Sequence, residues 1–327
     1  MISVPWRISC EGPELERSNY LVRTSGDLEF GTAAEFVDHS EGYTADSVVS
    51  EESGGTQMGF RLSRIEPGGS VDTHLHSFEE TVYVIEGDLI VDLAGGTVQA
   101  TTGDYGLFPV ATPHALRNDS AEPALFAEMR APLPRARFGH DTYFVDKLAA
   151  GEPAPIDPRD PRTRAFGHIG RENMDPAMQT QDRLALSASM RTALLVYSGI
   201  SVKMMIDSDL GADLSTMFMV QYVPGGFAGP HDHPLEEAYL ILEGQVEGTF
   251  DGRSYDLGPG DIAWAGVGCV HEFRNVGEGP VRWLETQAPQ PPRRHSYRFR
   301  RDWTYLENAL AQESQIGKAQ VGGDWHD

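Results

Sequence analysis

Cysteine is almost missing from this chain: Cys10 and Cys269 are the only two among 327 residues. Two thiols exclude a disulfide framework and suit a reducing compartment. Basic residues are scarce too, with 26 Lys and Arg against 49 Asp and Glu, for a formal charge of −23. Such a surface repels phosphate backbones and anionic headgroups, which argues against nucleic acid and membrane as partners. No apolar stretch is long enough to span a bilayer, and the opening "MISVPWRISCEGPELERSNY" lacks a basic region followed by an apolar run. The chain is read as cytoplasmic, with a small molecule as partner and a homo-oligomer allowed.

Apolar and turn-forming residues, by contrast, are plentiful. Forty per cent hydrophobic residues, with five Trp and fourteen Phe, exclude a disordered chain, while 35 Gly and 21 Pro point to the many turns of an all-β fold. The length suggests two domains.

A repeat shows where they lie. "HLHSFEETVYVIEG" at 74–87 returns as "HDHPLEEAYLILEG" at 231–244, so that His231 stands 157 residues after His74. The same offset aligns Pro67-Gly68-Gly69 with Pro224-Gly225-Gly226, Gly103-Asp104 with Gly260-Asp261, His114 with His271, Asn118 with Asn275, Glu128 with Glu285, and Ala131-Pro132 with Ala288-Pro289. An ungapped self-match of that length means two copies of one unit. Within each copy, runs rich in Val, Ile, Tyr and Phe are bounded by Gly, Pro, Asp and Asn, which predicts short strands. Gly95-Gly96 and Asp251-Gly252 fall where hairpin turns are needed. Antiparallel strands at this spacing predict a closed barrel or sandwich.

The expected boundaries are a first domain over 1–147, a Pro- and Arg-rich linker over 148–189, a second domain over 190–306 and a tail over 307–327. Asp175-Pro176 reads as a helix start in the linker, and Asp302 as the cap of a short C-terminal helix.

Alternate side chains of a strand share a face, so His74 and His76 point together, as do His231 and His233. Glu80 or Glu237 follows, and a third histidine, His114 or His271, arrives about forty residues on. Three imidazoles and one carboxylate make a mixed nitrogen and oxygen site suited to Mn, Fe, Ni, Co, Cu or Zn, whereas Ca and Mg prefer more oxygens.

These motifs resemble the cupins, whose first motif runs Gly, five residues, His-x-His, three or four residues, Glu, six residues, Gly, and whose second runs Gly, five residues, Pro-x-Gly, two residues, His, three residues, Asn. The first copy matches at Gly68, His74, His76, Glu80, Gly87, Gly103, Pro109, His114 and Asn118; the second matches at Gly225, His231, His233, Glu237, Gly244, Gly260, Gly268, His271 and Asn275. Ala111 stands where the family has Gly, and Gly266 where it has Pro. The six-residue step to Gly87 and Gly244 selects Glu80 and Glu237 as ligands, leaving Glu79 and Glu236 on the opposite face unless a bulge intervenes. The resemblance implies two tandem jelly-roll barrels, each holding about one divalent transition metal, with Fe(II) or Mn(II) foremost.

Other histidines, His39, His140, His168, His295 and His326, lack such company and are read as ordinary surface or core residues. Asn118 and Asn275 are expected to fix strand ends, and Cys269 to be a buried apolar thiol. "RRHSYRFRR" at 293–301 is read first as a solvated or paired run, then as a subunit contact, then as anion steering. On the inward faces, Tyr239 offers a hydroxyl beside Glu237 where the first copy has Val82, and Phe273 replaces Leu116. Arg61 in "MGFRLSRI" reaches the first site as an anion anchor. Tyr239 and Arg61 are the candidate catalytic groups.

Four protein ligands leave two positions of a six-coordinate ion for a chelating substrate, for dioxygen, or for both. Among two-domain cupins the resemblance implies first a dioxygenase acting on an enol, a flavonol or a phenolic acid. The alternatives are a non-oxidative aminohydrolase, decarboxylase or isomerase, and a small-ligand-binding protein.

Overall fold

A computed structural model describes residues 19–175, 199–291, 298–299 and 311. Strands and short 3-10 turns make up almost all regular structure among them. The first unit is built from Ser40–Val49, Gly59–His76, Glu79–Glu86, Asp88–Leu93, Gly96–Thr101, Asp104–Phe108, His114–Arg117 and Ala124–Ala131. The second repeats the plan with Ile200–Ile206, Thr216–Tyr222, Phe227–Asp232, Glu236–Glu243, Val246–Phe250, Arg253–Leu257, Ile262–Ala265, His271–Arg274 and Val281–Ala288.

One strand explains the closure of the first unit. Gly59–His76 runs for 18 residues; its first half pairs with Ser40–Val49 and Ala124–Ala131, and its second half with His114–Arg117 and Thr142–Phe144. It therefore belongs to both faces and joins them in one 11-stranded sheet. In the second unit the chain breaks at Val223–Gly226, leaving separate sheets of six and five strands. Each pair of faces closes as a jelly roll over its own apolar interior: Phe36, Val82, Leu89, Phe108, Leu116 and Phe126 in the first, Phe218, Tyr239, Phe250, Phe273 and Trp283 in the second. The turn expected at Asp251-Gly252 is in place, whereas the first hairpin turns one residue earlier than expected, at Ala94-Gly95, with Gly96 already paired to Leu93. Asp251 and Gly252, at φ 45° and 83°, form the left-handed pair that matches strand twist in a two-residue hairpin.

A third core lies between the units. Met58, Phe60, Leu62 and Met129 on the outer face of the first pack against Met217, Met219, Leu240, Trp264 and Leu284 of the second. Two buried carboxylates sit at its edge. Glu79 accepts hydrogen bonds from the backbone N–H of Asp213 at 2.8 Å and of Ser215 at 3.0 Å, and from the Ser215 hydroxyl. Glu236 does the same for Thr56 at 2.9 Å, Gln57 at 3.1 Å and Met58 at 3.2 Å. Each unit thus inserts an acid into a turn of the other, related by the repeat itself.

Two expectations need correction. The strand Tyr20–Arg23, placed in the first domain by position, pairs with Ile262–Ala265 of the second unit. The stretch read as linker supplies two short strands to the first sheet, Ala154–Pro155 beside Val98–Gln99 and Phe166–His168 beside Asp104–Gly106. Strands of two or three residues carry too little alternation to be seen in a Pro-rich sequence. The expected start of the second domain at 190 lies outside the described residues, which resume at 199. The helices expected after Pro176 and Asp302, the 307–327 tail apart from Ala311, and the side chains of the 293–301 run lie outside the described residues. No helix among the described residues is long and apolar enough to cross a membrane, which leaves open a β-barrel crossing.

Candidate metal centres

The first centre grows from a bulge. Val71 pairs with Leu116 and His74 with His114, so two residues on one strand, Asp72 and Thr73, oppose one on the other, Ala115. The extra residue re-aims the strand and puts His74 on the interior side with His76. The second unit repeats the device, with Ala228 opposite Phe273 and His231 opposite His271.

His74, His76, Glu80 and His114 are all buried, and each offers one ligand atom within 4.8 Å of the others. Glu80 Oε2 lies 3.2 Å from His76 Nε2 and 3.3 Å from His114 Nε2. The far ring nitrogens fix the orientation. His74 Nδ1 donates to the Asp72 carbonyl at 2.7 Å, His114 Nδ1 to the Thr112 carbonyl at 3.0 Å, and His76 Nδ1 to the Thr142 hydroxyl at 3.1 Å. Because the Thr142 hydroxyl itself donates to the His140 carbonyl, it must accept from His76. Every Nε2 therefore turns its lone pair inward, as a metal ligand requires. Phe36, Phe78 and Phe108 pack on the rings of His74, His76 and His114 at 5.0, 4.1 and 4.3 Å.

Burial, aided by the neighbouring imidazoles, holds His74 well below the ordinary histidine pKa, and burial lowers His76 as well. Burial works against the Glu80 carboxylate, yet His76 and His114 keep its pKa well below the usual carboxylate range. His74 and His76 are thereby kept as neutral imidazoles beside an ionised Glu80 carboxylate. His76 Nε2, His114 Nε2 and Glu80 Oε1 are buried and make no hydrogen bond to any described residue. Polar atoms left so in an interior cost about 1–3 kcal/mol each unless a ligand takes them, and a cation fits this donor set.

Arg61 lies beside this centre, its Nη2 3.9 Å from Glu80 Oε1. Its charge is already matched by Glu128, which it contacts directly, and by Glu35 at 2.7 Å. Burial opposes the cation, but Glu128, Tyr43 and Glu35 raise its pKa well above the ordinary value. A second guanidinium, Arg130, was not singled out from the sequence. The signal was there: Glu128 and Arg130 stand at alternate positions of the otherwise apolar strand Ala124–Ala131, and so share its inward face.

In the second unit His231, His233 and His271 gather within 4.8 Å, and Glu237 stands outside that tight group. Glu237 Oε2 still reaches His233 Nε2 at 2.8 Å and His271 Nε2 at 3.4 Å. Its oxygens are engaged elsewhere: the Tyr239 hydroxyl donates to Oε2 and the Gln287 amide to Oε1. Tyr239 also meets His271 Nε2 at 2.9 Å. The rings are again held by carbonyls, of Gly229, Leu235 and Cys269. Burial, reinforced by His271, lowers His231 to a pKa of about 3. The inward hydroxyl expected at Tyr239 thus touches two of the four candidate ligands.

Residues given ordinary roles behave accordingly. Asn118 donates to the carbonyls of Ile65 and Glu122, and Asn275 to those of Tyr222 and Gly279, tying strand ends. Cys269 is buried, and burial with Asp251 nearby pushes its thiol up to about 12. His39 pairs with Asp72, and His168 with Asp104. Two surface clefts, of about 790 and 500 Å³, are lined by none of the eight candidate ligands.

Residues 61–129 and 218–286 each match the family model described as the cupin domain. The chain is a bicupin. Its two matched domains are set 157 residues apart (218 against 61), the offset of the repeat. Over 83 residues this bicupin is 36% identical to a germin-like protein, subfamily T member 3, of Arabidopsis thaliana; the match covers 24% of the chain and only 37% of that relative. Its fold follows solved oxalate decarboxylases over most of the chain. The Lactobacillus farciminis enzyme, solved as a formate complex, superposes with a TM-score of 0.57 at 15% identity, covering 93% of this bicupin and 94% of that chain. The Bacillus subtilis enzyme, studied for its Mn(II) centres, gives 0.56 at 15%, covering 89% and 83%.

Proposed function

We propose that this bicupin is a metal-dependent enzyme whose first barrel transforms a small chelating anion without dioxygen as co-substrate, a decarboxylase-type reaction being the leading case. The observation that carries the reading is the set of convergent buried atoms, His76 Nε2, His114 Nε2 and Glu80 Oε1, that lack a hydrogen bond to any described residue. Bound there, a divalent ion would supply Lewis acidity for a chelated oxyanion, and iron or manganese a redox couple besides.

The chain's own residues supply the rest. Carbonyls and Thr142 hold the rings in one tautomer, and three phenylalanines keep water from their faces. Arg61 and Arg130 face Glu35, Glu80 and Glu128 in the same interior, so a divalent ion leaves one net positive charge there. An anionic substrate is favoured. Among the described residues the second interior instead sets Glu237 and Glu285 among Phe218, Phe250, Phe273 and Trp283, which suits a less charged guest. Manganese is the leading metal, in line with the Mn(II) centres of the Bacillus subtilis structure, and iron the next.

The oxygenase expected from the sequence is the second reading. It is favoured by the aromatic lining of the second barrel and by Tyr239, placed to hold a proton between Glu237 and His271. Elemental analysis of the purified protein is expected to give about two ions per chain, with His74→Ala and His231→Ala each losing about one. Carbon dioxide release from oxalate or a related small carboxylate under anaerobic conditions supports the first reading. Turnover of an enol only with oxygen uptake would replace it by the second. Absence of metal from both barrels would end both.

A further inference from the structure

Arg130 is 4% exposed, and no hydrogen bond to any described residue reaches its guanidinium. Among the described residues its one ion pair within 4 Å is with Glu35, whose Oε1 lies 3.5 Å from Nη1, and its buried Nε meets no described hydrogen-bond partner. A guanidinium carries five donors, and burying them unmet is costly. Arg61, by comparison, is taken up by Glu128 and Glu35.

The placement is specific. Arg130 lies directly across the strand pair from the ligand Glu80, so both side chains project into the barrel at one level. On its other side it pairs with Gly59. A Cβ at residue 59 would fall 3.2 Å from Nη2 and 3.3 Å from Nε; glycine leaves that room to the guanidinium. In the second unit the position opposite Glu237 is held by Gln287, whose amide is donated to Glu237 itself. One place in the repeat thus carries a cation in one barrel and a neutral amide in the other.

We propose that Arg130 is the specificity residue of the first barrel, its planar fork taking the carboxylate of a small substrate whose second oxygen group sits at the centre formed by His74, His76, Glu80 and His114. The inference rests on the reading that this centre holds a divalent ion. A forked guanidinium matches a carboxylate through two parallel hydrogen bonds, which an amide cannot receive in the same way.

The test is calorimetric titration of the manganese-loaded protein with glycolate and with glycolamide, metal content being measured on the same samples. Wild type is expected to bind glycolate roughly tenfold or more tightly than glycolamide. Arg130→Gln is expected to bring the two within about threefold at unchanged manganese per chain, and Arg130→Lys, which keeps the charge without the fork, to retain part of the preference. Equal affinities in wild type, or full preference in Arg130→Gln, would overturn the proposal. Should Arg130→Gln fail to fold, the wild-type comparison and Arg130→Lys decide. Manganese bound without carboxylate preference defeats this inference alone; no manganese in the first barrel defeats the metal reading together with it.

Discussion

Ala111 occupies the left-handed region, at φ 62°, in the turn before His114, where its counterpart Gly268 sits at φ 78°. The turn keeps its shape regardless: Ala111 N–H donates to the His76 carbonyl at 2.9 Å as Gly268 N–H does to that of His233 at 3.0 Å. An alanine there costs about 1 kcal/mol in backbone strain. Ala111→Gly is therefore expected to raise stability by up to about 1 kcal/mol in urea titration without changing metal content; a loss of stability would mean that the turn is not strained. A second residue-scale prediction concerns pH. His74, His76 and His231 are depressed by burial, the last to about 3, whereas in the unfolded chain they titrate near 6.5. Below about pH 6.5 the unfolded state binds more protons, so stability rises with pH there and is lost as pH falls from 6.5 towards 3. The metal-free protein is expected to lose about 1 kcal/mol per histidine per pH unit in that window. Urea midpoints that stay flat between pH 6.5 and 5 would contradict it.

Strand parity decides what the two adjacent glutamates do. Glu80 and Glu237 face the interiors; Glu79 and Glu236, one residue earlier, face outward into the opposite unit. Each outward carboxylate gathers backbone N–H groups of one turn, and hydrogen bonds to a charged acceptor contribute about 1.5–3 kcal/mol each before desolvation is counted. Glu79→Ala and Glu236→Ala are each expected to cost about 3 kcal/mol or more, while leaving metal content per folded chain unchanged. Loss of metal instead would mean that the outward acids are ligands. The grouping of the candidate ligands and this alternation were legible in the sequence because a period of two is a local property. The bulges before His74 and His231 were not, since a bulge shows only against its partner strand. Nor was the pairing of Tyr20–Arg23 with Ile262–Ala265, which no local pattern encodes, and Arg130 was passed over because it lies beyond the histidine motifs.

At the scale of the whole molecule, the two barrels share a buried core and are expected to unfold as one cooperative body. Their shared core removes Met217, Met219, Leu240 and Leu284 from water against Met58, Phe60, Leu62 and Met129, and burying such a side chain fully contributes about 1.5–3 kcal/mol. The exchanged acids and the Tyr20–Arg23 strand add ties that neither barrel can form alone. A repeat in sequence would suggest two independent domains; the interface argues otherwise, because separating the barrels exposes a contiguous apolar face together with buried carboxylates. Calorimetry of the metal-free chain is accordingly expected to show a single transition, with van't Hoff and calorimetric enthalpies in agreement. Residues 199–291 expressed alone are expected to aggregate, having lost both the covering face and the strand beside Ile262–Ala265. Two resolved transitions, or a monomeric and well-folded second barrel in isolation, would show that the repeat kept its units energetically separate.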